Sequence, residues 1–241
     1  MIDEPASGSW NMALDEALLE TAATQGIGTL RFYRWREPTL SLGYFQRHED
    51  RRLHPLSQNC AWVRRASGGG AILHHHELTY SFAIPISDRV AADVEQLYYA
   101  FHETLIEELH DRGVLATLCG NPPKVDRQAE SFLCFQRRST GDVLVADNKI
   151  CGSAQRRHYG GVLQHGSILF KSSPYAAELP GIVESSGVNI DIVCLQNGWI
   201  HRLHERLKMN MRTHCNFTTD LELATVIQLN KFLGNDWNFK R

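Results

Sequence analysis

A chain of 241 residues with 43% hydrophobic content can bury a substantial core, as one large domain or two small ones. Lysine and arginine (25) nearly balance aspartate and glutamate (27), and the formal charge of -2 excludes bulk attraction to nucleic acid or to an anionic membrane. No stretch approaches the roughly 20 apolar residues that span a bilayer and no basic-then-apolar segment opens the chain, so no membrane association is expected and the cytoplasm is the expected compartment.

In chain order, Leu14, Ala17, Leu18 and Thr21 predict an amphipathic helix over residues 11–22, capped by Ser9 or Asn11 and followed by Gly26. Residues 29–35 and 39–44 are rich in β-formers and are separated by Glu37-Pro38, which reads as two strands and a turn; residues 60–65 form a third. Over 77–84, Leu78, Tyr80, Phe82 and Ile84 alternate with Thr79, Ser81 and Ala83, a strand with one core face. A helix over 90–112 carries the stripe Val94, Leu97, Tyr98, Phe101, Leu105 and Leu109 and stops at Gly113. Residues 121–131 are polar with two prolines and read as a loop. Strands follow over 132–135, 142–147, 148–154 and 162–170, with turns at Asp147-Asn148 and Gly160-Gly161, then helices over 198–211 and 219–233. Strand runs broken by single long helices, without strict βαβ alternation, predict an α/β fold of the α+β type: a mixed sheet with helices packed on its faces, in one domain over residues 1–241.

Two regions carry chemistry. Residues 64–76, RRASGGGAILHHH, join Arg64 and Arg65 to three glycines whose bare backbone lets a ligand approach, which suits an anionic or carbonyl group; an ordinary turn has the same appearance. The pattern is neither a P-loop nor a dinucleotide fingerprint, because a strand follows. In a strand His74 and His76 share a face while His75 points away, so the three histidines do not converge on a metal. The second region, 134–168, holds Cys134 and Cys151 among Arg137, Arg138, Lys149, Arg156 and Arg157, cations that lower a thiol pKa, with His165 as a base or hydrogen-bond donor. Spacing leaves either cysteine open as a nucleophile. Six cysteines without a CxxC pair (Cys60, Cys119, Cys134, Cys151, Cys194, Cys215) are expected as free thiols in a reducing compartment.

The block from Arg64 to Ala71, with His74 and Tyr80-Ser81-Phe82, resembles the signature of the lipoate-protein ligase A family, and residues 149–155 (KICGSAQ) and 163–169 (LQHGSIL) match its second block. Residues 11–18, Arg31-Phe32-Tyr33, 40–46 and 236–241 look like its LipM-type octanoyltransferase branch, so the likeness covers nearly the whole chain. The resemblance implies a class II biotin/lipoate ligase-like catalytic domain with an acyl pocket, without a C-terminal accessory domain. It implies transfer of an octanoyl group from octanoyl-acyl carrier protein, through a cysteine that precedes a phenylalanine, to a lysine of a lipoyl carrier: the glycine cleavage H protein or a 2-oxoacid dehydrogenase lipoyl domain. Cys134-Phe135 occupies that position. The implied catalytic pair is Cys134 and Lys149; the implied substrate-binding residues are Arg64, Arg65, Ser67, Gly68, Gly69, Gly70, Ala71, His74, Gly152, Ser153, Ala154, His165 and Gly166, with Ile72 and Leu163 as tail contacts. No metal site and no cofactor are expected of a transferase. The alternative, a ligase acting through an acyl-adenylate, needs ATP and Mg; a third reading is a non-catalytic acyl- or lipoyl-domain-binding protein. The chain departs from the transferase pattern at Ser139-Thr140-Gly141-Asp142, in place of an aromatic-Glu pair, and at Asp147-Asn148, in place of Gly-Arg. His75 replaces an aspartate, and an opening strand is expected to be short or absent.

Overall fold

The computed structural model describes residues 1–122, 130–212 and 217–241, so most of the loop expected at 121–131, and Cys215, lie outside the described residues. Helix α1 (Gly8–Gln25) is capped by Ser7, two residues before Ser9 and four before Asn11, and the Ser7 Oγ accepts the Trp10 N–H at 3.3 Å. Gly26 ends it in the left-handed region (φ 70°). The helix is not amphipathic: Asn11, Asp15 and Glu16 are buried along with its leucines, because the six-stranded sheet packs on one side and helix α5 (Thr218–Ile227) on the other. The unexposed Arg31 of β1 (Thr29–Tyr33) satisfies two of them, donating to Asp15 at 2.7 Å and to Asn11 Oδ1 at 2.8 Å as well as to Asp3 at 2.6 Å, and Lys231 donates to Glu16 at 2.6 Å. Before it, the opening segment makes only single bridges to Phe32 and Trp35 and no strand.

The large sheet runs β1, β5 (Glu77–Pro85), β9 (Gly161–Leu169), β8 (Asn148–His158), β7 (Val143–Val145), β6 (Ala116–Leu118), antiparallel throughout. The parallel pairing of the expected mixed sheet lies in a separate three-stranded sheet, where β2 (Thr39–Leu42) pairs parallel with β3 (Ala61–Arg64) and antiparallel with β4 (Ile72–His74). Helices α2 (Val94–His110) and α4 (Ile192–Leu207) pack on the side bearing Leu78, Tyr80, Phe82 and Ile84, while α1 covers the other face with α5 packed behind it. Hence β5 is buried on both faces, against the expectation of one core face. A five-residue helix, α3 (Ile182–Ser186), precedes α4, and α6 (Asn235–Asn238) follows α5.

Boundaries shifted where a cap or turn decided them. Helix α2 starts at Val94, where Asp93 accepts the Gln96 N–H at 2.9 Å, and residues 89–92 form a separate 3-10 turn. The last long helix widens into a π turn at Gln228–Phe232. The hairpin turns lie one residue earlier than expected, at Ala146-Asp147 (φ 45° and 66°) and Tyr159-Gly160 (φ 54° and 84°), the paired positive φ that a two-residue hairpin requires. Residues 132–135 are not a strand: Leu133 makes one bridge to Ala71 and the chain turns over Cys134–Gln136. Between β7 and β8, Val143 pairs with Cys151 but Leu144 with Lys149, so Ile150 is the extra residue of a β-bulge.

Candidate active site

The residue after the glycine run sets the position of Cys134. Ala71 accepts the Cys134 N–H at 2.7 Å and donates its own N–H to the Phe132 carbonyl at 3.0 Å, clamping the turn that presents the half-buried sulfur. Gly70 is needed for that approach, since a Cβ there would stand 3.0 Å from the Cys134 nitrogen. Both residues therefore hold the turn; neither lines the cleft.

Lys149 comes to the same place from β8. Its Nζ lies 3.9 Å from Cys134 Sγ and 2.8 Å from Asp142 Oδ2, with both ion-pair side chains almost unexposed. Burial works against the ammonium, but the Cys134 sulfur and the Asp142 carboxylate outweigh it and hold the Lys149 pKa above its ordinary value. Gly152 makes room for the lysine, because a Cβ there would meet Lys149 Cε at 2.5 Å. Asp142 also accepts the Ser139 N–H at 2.7 Å, and the Tyr98 hydroxyl donates to it at 3.3 Å. The departure at 139–142 thus leaves a carboxylate in the cleft. Its signal in the sequence was an acid one hairpin away from the lysine.

Cys134, Lys149 and Asp142 line a cavity of about 330 Å³ together with Arg65, Gly68, Gly69, Ile72, His74, Gly152, Ser153, Ala154, His165 and Gly166. It crosses the sheet from β8 over β9 and β5 to β1, where Tyr33, Trp35 and Met12 end it. Sequence reasoning missed these three and Asp142, and also Ser41, Thr79, Phe135, Ser139, Gln155, Ser167 and Tyr98, the last read only as part of a core stripe. Leu163 and Ser67 lie beyond His165, on a second, smaller cavity with Met12 and Leu19. Ser67 Oγ is 2.5 Å from His165 Nε2.

The two arginines differ. Arg64 is not a cleft residue: its guanidinium is spent on the Gly43, Tyr44 and Gln46 carbonyls and on the Asn238 carbonyl, which pin the chain's last described segment. Arg65 lines the cleft, donating to the Ser41 carbonyl at 3.0 Å and to the Gly68 and Gly70 carbonyls at 2.7 Å each. Its Nε makes no hydrogen bond among the described residues. Burial lowers its pKa to about 10, with the Cys134 sulfur favouring the charge. Gly69 (φ 93°) turns the run so that its carbonyl approaches Gly43, where a Cβ would sit 2.0 Å away. Among the other cations of the second region, Arg137 pairs with Glu130, Arg138 donates to the Asp147 carbonyl, and Arg156 donates to the Ala66 carbonyl at 2.6 Å.

The histidines do not alternate, because β4 ends at His74. The His75 and His76 rings stack on each other, with centroids 3.7 Å apart, while His74 stacks on Trp35 at 3.8 Å and meets Ser41 Oγ at 2.8 Å. Burial holds His74 below its ordinary pKa and His165 down at about 4, so both rings are neutral at pH 7. Cys151 is unexposed in the core, and burial drives its thiol pKa up, with the Asp142 charge adding to the effect; it is excluded as the nucleophile. No helix among the described residues is long and apolar enough to cross a membrane.

Residues 7–194 match the lipoyl protein ligase A/B catalytic domain. The chain is 40% identical to octanoyltransferase LipM of Lysinibacillus sphaericus, over 98% of this chain and 96% of that protein. It is 33% identical to octanoyltransferase LipM of Clostridioides difficile, over 97% and 95%. Among solved structures, a lipoate-protein ligase A bound with ATP superposes with a TM-score of 0.76 at 21% identity, covering 99% of this chain and 97% of that one. The bipartite lipoate protein ligase of Thermoplasma acidophilum gives 0.74 at 21% identity, covering 99% and 94%. These structural likenesses bear on the fold.

Proposed function

Because this chain belongs to the lipoyl protein ligase A/B catalytic domain family, we propose that it is an octanoyltransferase of lipoate biosynthesis that works through a thioester on Cys134. The observation that carries the reading is Lys149 Nζ at 3.9 Å from Cys134 Sγ in an acyl-sized cleft. The Cys134 thiolate, stabilised by the Lys149 ammonium and by Arg65, attacks the carbonyl carbon of octanoyl-acyl carrier protein. The carbonyl oxygen takes the charge, and because the Cys134 N–H is already committed to Ala71, Lys149 is the donor that faces it. The carbon–sulfur bond to the carrier breaks, and the carrier thiolate takes up the proton that Cys134 released.

In the second step the neutral amine of a lipoyl-carrier lysine attacks the enzyme thioester. The new amide forms as Cys134 leaves and regains a proton from the amine. Thioester to thioester is nearly energy-neutral and thioester to amide is downhill, so the route needs no nucleotide, metal or other cofactor. The glycine cleavage H protein and the 2-oxoacid dehydrogenase lipoyl domains are the proposed acceptors, and the cytoplasm the proposed compartment. Intact-mass measurement after incubation with octanoyl-acyl carrier protein tests this: one octanoyl adduct is expected on the native chain and none on Cys134→Ala, with transfer lost. Full transfer by Cys134→Ala, or no adduct on the native chain, refutes it. Turnover of ATP with lipoate by Cys134→Ala would identify a ligase, and carrier binding without turnover a binding protein.

A further inference from the structure

Asp142, the partner of Lys149, closes the turn 139–142 just before β7. Its carbonyl accepts the Cys119 N–H at 2.7 Å and Gly141 donates to the Cys119 carbonyl at 2.8 Å, which fastens the turn beside β6, while the Gly141 carbonyl and the Asp142 carboxylate are met from outside the sheet by α2. Tyr98 and His102 stand four residues apart, on one face of the helix. His102 is unexposed, with Nδ1 at 2.6 Å from the Gly141 carbonyl and Nε2 at 2.6 Å from Ser153 Oγ. The Tyr98 hydroxyl reaches Asp142 at 3.3 Å, and its ring lies so close to Gly141 (φ 85°) that a Cβ there would be 2.8 Å from it.

The proton positions follow from these contacts. A carbonyl only accepts, so His102 Nδ1 carries the hydrogen. Burial holds the ring near pKa 4 and therefore neutral, which makes Nε2 an acceptor and obliges Ser153 to donate to it. Ser153 in turn accepts from the Tyr80 hydroxyl at 2.6 Å, which accepts from Gln164 Nε2 at 2.9 Å. The single hydroxyl hydrogen of Ser153 is thus committed, and this cleft serine does not donate to an acyl oxygen. Through a single ring, β8 is tied to the turn that bears Asp142.

We propose that His102 is a positioning residue for acyl transfer: by holding the Gly141 carbonyl it sets the Asp142 carboxylate, which sets Lys149 on Cys134. The inference rests on the thioester reading above. His102→Asn keeps an N–H near Nδ1 and loses Nε2; His102→Gln keeps a polar group near Nε2 and loses the Nδ1 donor; His102→Leu keeps neither. For Gln and Leu, single-turnover acylation by octanoyl-acyl carrier protein slows by about tenfold or more with the half-saturating carrier concentration little changed, while Asn restores most of the rate. Tyr98→Phe, which keeps the ring, slows it by about threefold in the same manner.

Equal damage in Asn and Gln, a loss confined to half-saturation, or native rates in folded Gln and Leu variants overturns the proposal. If Leu fails to fold, the Asn-against-Gln contrast and Tyr98→Phe decide. Absence of any adduct on native Cys134 refutes the thioester reading separately, and the same contrast is then measured on overall transfer to the acceptor lysine.

Discussion

Cys134 and Cys151 flank Lys149 in the chain, yet one faces the cleft and the other is core. In an unbroken strand Lys149 and Cys151, two residues apart, would point the same way. The bulge at Ile150 breaks that alternation: Lys149 pairs with Leu144 and Cys151 with the adjacent Val143, so their side chains leave on opposite faces. Cys134, in contrast, arrives on an irregular turn clamped by Ala71 and stands 3.9 Å from the lysine nitrogen. A single extra residue in a strand thus decides which thiol the cation meets.

The sharpest way to break the contrast is to remove the cation. Lys149→Met, which keeps the apolar stem, should lower the rate of Cys134 acylation by about a thousandfold, since it removes both the thiolate partner and the charge at the acyl oxygen. A loss under tenfold would mean that Arg65 supplies most of the field.

A smaller effect concerns two buried neutral histidines, His165 in the cleft and His102 on α2. Each has a folded pKa near 4, below the ordinary 6.5, so the unfolded chain binds more protons between these values. Their contribution is complete above pH 6.5 and is lost as pH falls toward 4, by about 1.4 kcal/mol per pH unit for each ring. Urea denaturation across that range should be correspondingly less pH-dependent in His165→Asn; an unchanged slope would contradict the burial of a neutral ring.

On the core side, Cys151→Ala should cost about 1 kcal/mol of stability through a small cavity and leave transfer intact. Loss of transfer in a folded Cys151→Ala protein would move the nucleophile to the wrong side of β8.

Much of this site was legible as residue types. Lys149, the glycine run and His165 were read from local sequence and His74 from the resemblance, and of the four block residues after Ser67 two, Gly68 and Gly69, line the cleft. Arg64 and Arg65 show where reading stopped. They are chemically identical neighbours, and what separates them is that Asn238 and the 43–46 segment claim the first, leaving the second with its Nε unbonded. Asp142 looked like a missing pattern residue because its partner, Lys149, is reached only by folding a hairpin. The all-round burial of α1 and β5 was hidden for a similar reason. Periodicity reports one buried face, whereas the number of layers packed on an element is set elsewhere in the chain.

By itself the sequence did not determine the turn at Cys134–Gln136 or the short elements β4, β6, α3 and α6. It determined the type of the longer helices and strands, the hairpin turn residues to within one position, and the supply of nucleophile, cations and bare backbone. These depend on local sterics and on the chemistry of single side chains. Only the tertiary structure decided which cysteine meets Lys149, which arginine keeps free hydrogen-bonding capacity, and which way the Ser153 hydrogen points. Each of these outcomes turns on a partner far away in sequence: Ala71 for Cys134, Asn238 for Arg64 and His102 for Ser153. A buried polar group takes its role from whatever satisfies it.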